Sequence, residues 1–309
     1  TSAGCSFEYM VQLANTLKAD PWFCIPHLAD TEYITNMANL IASSLDKDLK
    51  CHIEYSNECW NFSFDQAGYC FSAGALEYGD YLFSSYDENA SNYGLTGQQQ
   101  RGVRCLAYGQ RSVSAFDIFE TAFSGTDRIV RVMADQRGNF PGHNEMLSGI
   151  VSERTEGVFV SAITTNYEKV DKFGVNAYFG SQVQEDLGPI YTASIGDPTV
   201  SGCSALSGYL YSGTIDDGIS NLLAYYPSAI TQTFEACDNS YETVSGAPYY
   251  LSGNKFVAYE AGQHLTDCQA YSGTVIADMY ASSFRDPRMK DVYFDLFDRW
   301  YTDRGWGNL

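Results

Sequence analysis

The sequence has little positive charge. Only 18 lysines and arginines stand against 38 aspartates and glutamates, which gives a formal net charge of −20. No basic run is present, and a surface that reads phosphate groups needs clustered Lys and Arg. We therefore expect no nucleic-acid partner, and the same sign of charge disfavours anionic membrane surfaces and polyanionic substrates. A neutral or cationic partner fits this charge better.

Several motifs are also missing. No segment approaches the roughly 18 consecutive apolar residues that span a bilayer, so we expect no membrane insertion. No G-x-G-x-x-G follows a predicted strand, which argues against a Rossmann-type dehydrogenase. The nine cysteines include no C-x-x-C pair, and four dispersed histidines do not make a metal triad. We therefore expect neither a cofactor nor a metal.

The cysteines favour disulfides instead, with a connectivity that sequence alone does not reveal. Two glycosylation sequons begin at Asn61 and Asn89 and point the same way. Both features predict a secreted or cell-surface glycoprotein. The chain opens at Thr1 without a signal-peptide pattern, as a processed or truncated chain would.

Short apolar strands alternate with longer amphipathic helices along the chain. This alternation is typical of a parallel sheet with helices outside it. Helices are predicted at 7–17, 31–44, 64–79, 98–123, 215–237 and 270–284, and strands near 20–26, 51–56, 127–134, 172–178 and 255–259. Two loop excursions are expected near 84–97 and 181–212.

The most informative segment is Ile53-Glu54-Tyr55-Ser56-Asn57-Glu58-Cys59-Trp60-Asn61, in which a strand ends in Asn-Glu and Trp follows. A carboxyl at the C-terminal end of a barrel strand lies where such barrels place their chemistry. This motif resembles the acid/base signature of the clan A glycoside hydrolases, which are (β/α)8 barrels. Together with Pro21-Trp22 and Pro26-His27, it resembles secreted barrel proteins that are often labelled cellulose-binding or glycosidase-like.

The resemblance implies roles for four residues. Glu58 would be the general acid/base, and Asn57 would contact the sugar 2-hydroxyl. Glu260, after the strand that ends at Tyr259, would be the nucleophile, and Tyr178, at the end of the preceding strand, would lie near it. Retaining hydrolysis needs two such carboxyls roughly 5–5.5 Å apart.

Other residues are candidates for the rim of the site. Trp22, Trp60 and Tyr178 offer aromatic faces for sugar stacking. His27, Gln136 and His264 offer polar groups, although hydrogen-bonded rim histidines are equally ordinary. The roles of two further carboxyls have alternatives. Glu54 either lines the interior or is a structural carboxylate paired with Arg128 or Arg131. Asp135 either lines the cleft or is a helix cap.

The pattern supplies only what look like strands three to seven of a single barrel domain over 1–309. Strands 1, 2 and 8 have no assignable counterpart, which predicts a segment of a longer polypeptide, unless insertions hide strands. The clan's usual Arg on strand two and Trp on strand eight are missing with them.

Two functions follow. The first is a secreted retaining β-glycosidase-like protein that acts on a neutral β-linked polysaccharide. The second is a non-catalytic extracellular structural or glycan-binding glycoprotein of a wall, matrix or surface filament. Its partners would be glycans, other segments of the same polypeptide or an extracellular assembly.

Overall fold

The structure is a computed structural model, and it describes residues 4–148, 166–180, 215–246, 249–264 and 281–308. Helices and strands alternate along the chain. The helices are α1 (Phe7–Leu17), α2 (Thr31–Ser44), α3 (Asp65–Leu82), α4 (Gly97–Phe123), α5 (Phe140–Ser148), α6 (Ile215–Ser245) and α7 (Met289–Phe297), and the strands are β1 (Trp22–Ile25), β2 (Cys51–Tyr55), β3 (Ile129–Asp135), β4 (Lys172–Phe179) and β5 (Phe256–Gln263). A π-helical segment, Asp298–Asp303, continues α7.

The five strands form one sheet in the order β1-β2-β3-β4-β5. β1 pairs with β2, β2 with β3 and β3 with β4, each in parallel. Parallel neighbours need a crossover, and helices supply the crossovers here. The predicted mixed α/β class with a parallel sheet is confirmed, and the sequential strand order is compatible with part of an α/β barrel.

Local signals account for the ends of the helices. Asp30 precedes α2, and its side chain accepts the Tyr33 backbone N–H at 2.8 Å, which satisfies one of the unpaired donors of the first turn. Thr96 and Gln99 form a capping box at the start of α4. These caps explain why α2 and α4 begin within a residue of their predicted starts.

Other boundaries differ from the prediction. α3 runs to Leu82 and α6 to Ser245, beyond the predicted ends. The predicted loop at 84–97 contains a short 3₁₀ turn over Ser91–Gly94. Helix α5 was missed because Pro141 and Gly142 lie in its first turn and interrupt the apolar pattern. The predicted excursion at 181–212 and most of the predicted helix at 270–284 lie outside the described residues.

The contacts divide the chain into two compact units. Unit 1 comprises Thr1–Val175 and Ser240–Val257, and unit 2 comprises Asn176–Asn239 and Ala258–Leu309. β4, α6 and β5 each contribute residues to both units.

Each unit has its own apolar core. In unit 1, Ile53 and Val132 from the sheet and Phe116 from α4 are fully buried. In unit 2, the rings of Trp300 and Trp306 meet edge to face at 4.7 Å. Such burial supplies most of the driving force for folding. No helix among the described residues is long and apolar enough to span a membrane.

Candidate functional site

The loop after β2 carries the predicted Asn-Glu pair in a strained backbone. Ser56 and Glu58 both have positive φ, at 60° and 47°. Residues other than glycine rarely adopt this conformation, and such strain concentrates at functional sites. The Asn57 carbonyl accepts a hydrogen bond from Gln66 Nε2 at 2.7 Å, which holds the loop against α3.

The Glu58 side chain is half-buried and has a defined partner. Its Oε2 accepts a hydrogen bond from Asn61 Nδ2 at 3.0 Å. Asn61 Oδ1 in turn accepts the Ser63 backbone N–H at 3.0 Å. The sequon asparagine therefore orients the predicted acid/base carboxyl. The other sequon asparagine, Asn89, is exposed and lies in a turn. Its backbone N–H donates a hydrogen bond to Asp87 Oδ1 at 3.0 Å.

A second carboxyl lies close by in sequence but faces a different environment. Glu54 is only 2% exposed. Its Oε2 accepts from the Trp22 indole N–H at 3.0 Å and from the Cys24 thiol at 3.8 Å. Both donors are neutral. Arg131, which was one of the two predicted partners of Glu54, instead binds Asp171 and Glu120. A buried carboxyl with such partners is a candidate for a functional group.

His52 is a residue of this face that sequence reasoning missed. It precedes Glu54 by two residues, so both side chains leave β2 on the same side. Its ring stacks on Trp22 at 5.8 Å, and its buried Nδ1 has no hydrogen-bond partner among the described residues. Burial, followed by the charge of Lys172, lowers the pKa of His52. The alternation His52-Ile53-Glu54 was the available signal. We call Trp22, Cys24, His52 and Glu54 the Trp22–Glu54 cluster.

A buried relay lies at the end of β3. His143 Nδ1 contacts Asp135 Oδ2 at 2.9 Å, and His143 Nε2 contacts Ser240 Oγ at 3.1 Å. The order of groups matches that of a serine hydrolase triad. All three residues are 0% exposed, however, so the hydroxyl is out of reach of a substrate. Ser240 Oγ also accepts the Gly138 N–H at 2.9 Å, so the relay ties β3, α5 and the end of α6 together.

Asp135 was predicted either to line the cleft or to cap a helix, and the structure shows it buried and hydrogen-bonded within this relay. Its Oδ2 accepts from Asn139 Nδ2 at 2.9 Å, and Oδ1 is buried without a hydrogen-bond partner among the described residues. Asp135 and Trp60 border a cavity of about 10 Å³, which is about the room one water needs. Neighbouring Gln136 is exposed.

Glu145 is a buried carboxyl with a strongly perturbed pKa. Burial raises its pKa from 4.5 to about 7, although the charge of Arg101 opposes the shift. The two Arg101 contacts are long, at 3.3 and 3.4 Å. The guanidinium of the neighbouring Arg104 lies 4.9 Å from the centre of the Phe62 ring.

Unit 2 contains the second predicted carboxyl. Tyr178 Oη donates a hydrogen bond to Glu260 Oε2. The His264 ring lies 4.6 Å from the Tyr178 ring, and the His264 backbone N–H donates to the Phe179 carbonyl at 2.8 Å. β5 continues to Gln263, so Glu260 lies inside the strand rather than after it, and its side chain is exposed.

The remaining candidates have simpler surroundings. His27 lies two residues after β1, and its ring lies 5.4 Å from the Tyr69 ring. The His27 carbonyl accepts a hydrogen bond from Tyr55 Oη at 2.8 Å. The structure therefore divides most of the predicted residues among the β2 loop, the Trp22–Glu54 cluster and a Tyr178–Glu260–His264 group, whereas His27 and Gln136 belong to none of the three.

Comparisons with protein-family models, with curated proteins and with solved structures find no match to this chain.

Proposed function

We propose that the chain is part of a (β/α)8 barrel protein that acts as a retaining glycoside hydrolase on a neutral β-linked polysaccharide. The hydrogen bond between Tyr178 and Glu260 is the observation that carries this proposal. Glu260 is the nucleophile, and Glu58 is the general acid/base.

The hydrogen bond from Tyr178 stabilises and orients the Glu260 carboxylate, as a nucleophile requires. A phenolic O–H donated to a carboxylate stabilises the charged form and fixes the direction of its lone pairs. Because Glu260 is exposed, a sugar can approach it. The His264 and Tyr178 rings supply apolar surface beside it.

The β2 loop supports a defined position for Glu58. Two residues with positive φ and the Asn61 amide hold the side chain in one arrangement. Organising a reacting group before the substrate binds lowers the barrier to the reaction. The net charge of −20 favours an uncharged polysaccharide over an anionic one.

Covalent trapping of the intermediate tests the proposal directly. The protein is incubated with activated 2-deoxy-2-fluoro β-glycosides of several neutral sugars, and its peptides are analysed by mass spectrometry. We expect a glycosyl adduct on the peptide that contains Glu260. An adduct on another carboxyl would refute the assignment of the nucleophile.

Variants then separate the two roles. Release of reducing ends from neutral β-glucans, xylans and mannans is measured for the wild type, Glu58→Gln and Glu260→Gln. Glu235→Gln, at an exposed position on α6, is the matched control and should retain activity. We expect loss of at least about 10³-fold for each site variant, which corresponds to about 4 kcal/mol of transition-state stabilisation.

Azide provides a further separation of the roles. In Glu58→Ala, azide should restore turnover and give a glycosyl azide of retained configuration. In Glu260→Ala, azide should restore turnover and give a glycosyl azide of inverted configuration. A wild-type protein that binds these glycans but releases no product, and forms no adduct, would refute the hydrolase and favour the glycan-binding glycoprotein.

A further inference from the structure

Four aromatic rings form a continuous row that begins in the loop of Glu58 and follows α3. The Phe62 ring meets the Phe71 ring edge to face, with the ring centres 6.4 Å apart. The Phe71 ring meets the Tyr93 ring in the same way at 5.6 Å, and the Tyr93 and Tyr86 rings are parallel at 6.3 Å. We call Phe62, Phe71, Tyr93 and Tyr86 the aromatic row.

The aromatic row offers ring surface to solvent on a buried support. The Arg104 guanidinium lies over the Phe62 ring at 4.9 Å, yet Phe62 is 58% exposed. Phe71 is buried in the core between α3 and α4, and Tyr86 and Tyr93 are half-buried against the same core. Phe71 therefore supports the other rings, and three rings of the row are open to a ligand.

The loop that carries the two tyrosines is built around their rings. Asn92 and Tyr93 have positive φ, at 52° and 55°, and such strain concentrates at functional sites. The Tyr93 carbonyl accepts the Asp87 backbone N–H at 3.0 Å. The Tyr86 ring lies directly on the backbone of α3, because a Cβ at Gly79 would lie 2.3 Å from a ring carbon of Tyr86. Both rings are thus held in place before a ligand binds.

The aromatic row also lies near the end of the sheet at which parallel strands place their ligands. The Ala134 N–H, at the end of β3, donates to Tyr108 Oη at 2.9 Å, and Arg131, earlier in β3, binds Glu120 further along α4. α4 therefore runs from the carboxyl end of β3 toward its amino end. The part of α4 before Tyr108, which shares a core with α3, continues past the carboxyl ends of the strands. Ligands of parallel α/β sheets bind at this end.

We propose that the aromatic row is a platform on which a neutral polysaccharide chain lies as it leads to the Glu58 carboxyl. The class of ligand rests on the proposed function, and the row extends that site beyond the sugars at the cleaved bond. A pyranose ring has a face of C–H groups that packs on an aromatic ring, and its hydroxyl groups need polar partners. Exposed Asp87, Asn89 and Asn92 supply polar groups in the loop of Tyr86.

The shape and charge of the row favour a sugar chain over a protein surface. A protein interface buries about 800 Å² on each partner and is depleted of charge at its centre. The row instead is a line of single rings, and exposed Asp87 and Glu88 lie beside it in sequence. The part of α3 from Phe71 to Gly79 rises about 12 Å, so the row suits a long, narrow and uncharged ligand.

Nitration of tyrosine rings tests the platform on the unaltered protein. The full chain is treated with tetranitromethane, with and without a soluble neutral β-glucan, xylan or mannan, and its peptides are quantified by mass spectrometry. We expect the polysaccharide that binds to reduce nitration of Tyr86 and Tyr93, while exposed Tyr9 and Tyr250 react as before. Unchanged nitration of Tyr86 and Tyr93 with every polysaccharide would overturn the proposal.

Affinity electrophoresis in gels that contain the same polysaccharides measures the contribution of single rings. We expect Phe62→Ala and Tyr86→Ala to bind about 3- to 10-fold more weakly than the wild type. Tyr86→Phe keeps the ring and should recover most of the affinity that Tyr86→Ala loses. Tyr9→Ala, at an exposed aromatic position on α1, is the matched control. Wild-type affinity in both alanine variants would overturn the proposal.

The result is distinguishable from that of the hydrolase assignment. Covalent trapping uses small glycosides, so an adduct on Glu260 without protection of Tyr86 and Tyr93 keeps the hydrolase and overturns the platform. Protection without an adduct keeps the platform and refutes the hydrolase. Self-association that Phe62→Ala abolishes would show that the row binds a second copy of the chain, which would also overturn the proposal. If Tyr86→Ala does not fold, Phe62→Ala and the nitration of the wild type decide the outcome.

Discussion

Glu145 should make the stability of the protein depend on pH in the direction opposite to an ordinary carboxylate. Its side chain is 1% exposed, and burial raises its pKa from 4.5 to about 7. Below pH 4.5 the folded and unfolded states both hold the proton. Between 4.5 and 7 only the folded state keeps it, so the free energy of unfolding falls as the pH rises.

The size of this effect follows from the shift. A change from 4.5 to about 7, at about 1.4 kcal/mol for each pH unit, amounts to about 3 kcal/mol. Glu145→Gln removes the titration and leaves an oxygen that can accept from Arg101. The side chain of Arg101 is 24% exposed, so water continues to solvate part of its charge. We therefore expect the variant to gain stability relative to the wild type as the pH rises.

The assay is urea unfolding of the wild type and Glu145→Gln at several pH values between 4 and 8. The difference between the two free energies of unfolding isolates Glu145 from the other titrating groups. Glu235→Gln, at an exposed position inside α6, is the matched control for the loss of a carboxylate. A difference between wild type and Glu145→Gln that does not change with pH would refute the reasoning.

Three further predictions concern packing and hydrogen bonding, each checked by urea or thermal unfolding. A Cβ at Gly74 would lie 2.1 Å from the Val103 carbonyl oxygen where α3 meets α4, so Gly74→Ala should lower the free energy of unfolding by about 3 kcal/mol. A Cβ at Gly68 in the same helix meets nothing within 4 Å, so Gly68→Ala should raise the free energy of unfolding by about 0.5–1 kcal/mol. Equal effects of the two substitutions would contradict the predicted clash at Gly74. Ser240→Ala removes one of the hydrogen-bond partners of the buried His143 ring and should cost about 1–3 kcal/mol; an unchanged midpoint would show that the relay is not structural. Arg128→Met removes three bonds to backbone carbonyls at the end of α2 and in the loop that follows it and should cost about 2 kcal/mol; a loss below about 0.5 kcal/mol would argue against this anchoring role.

Short-range signals were sufficient for most of the helices and strands. α1 was predicted with its observed bounds, and Asp30 marked the start of α2, because apolar spacing and caps act within a few residues of the chain. The parallel arrangement also followed from the sequence, since helices separate successive strands. The end of β5 was wrong, because the small residues Ala261 and Gly262 looked like a turn but belong to the strand.

The candidate site was predictable in part. Glu58, Glu260 and Tyr178 were chosen from motifs at strand ends, and the structure brings Tyr178 to Glu260. Their catalytic roles stay predictions. The stacking of Trp22 on His52 was not predictable from local patterns, since these residues lie on different strands.

Contacts between distant residues were decided only by the tertiary structure. His143 and Ser240 are 97 residues apart, and neither has a local feature that points to the other. Periodicity reports which face of an element is buried, whereas the partner across the core depends on how the elements pack, and that is a property of the whole chain.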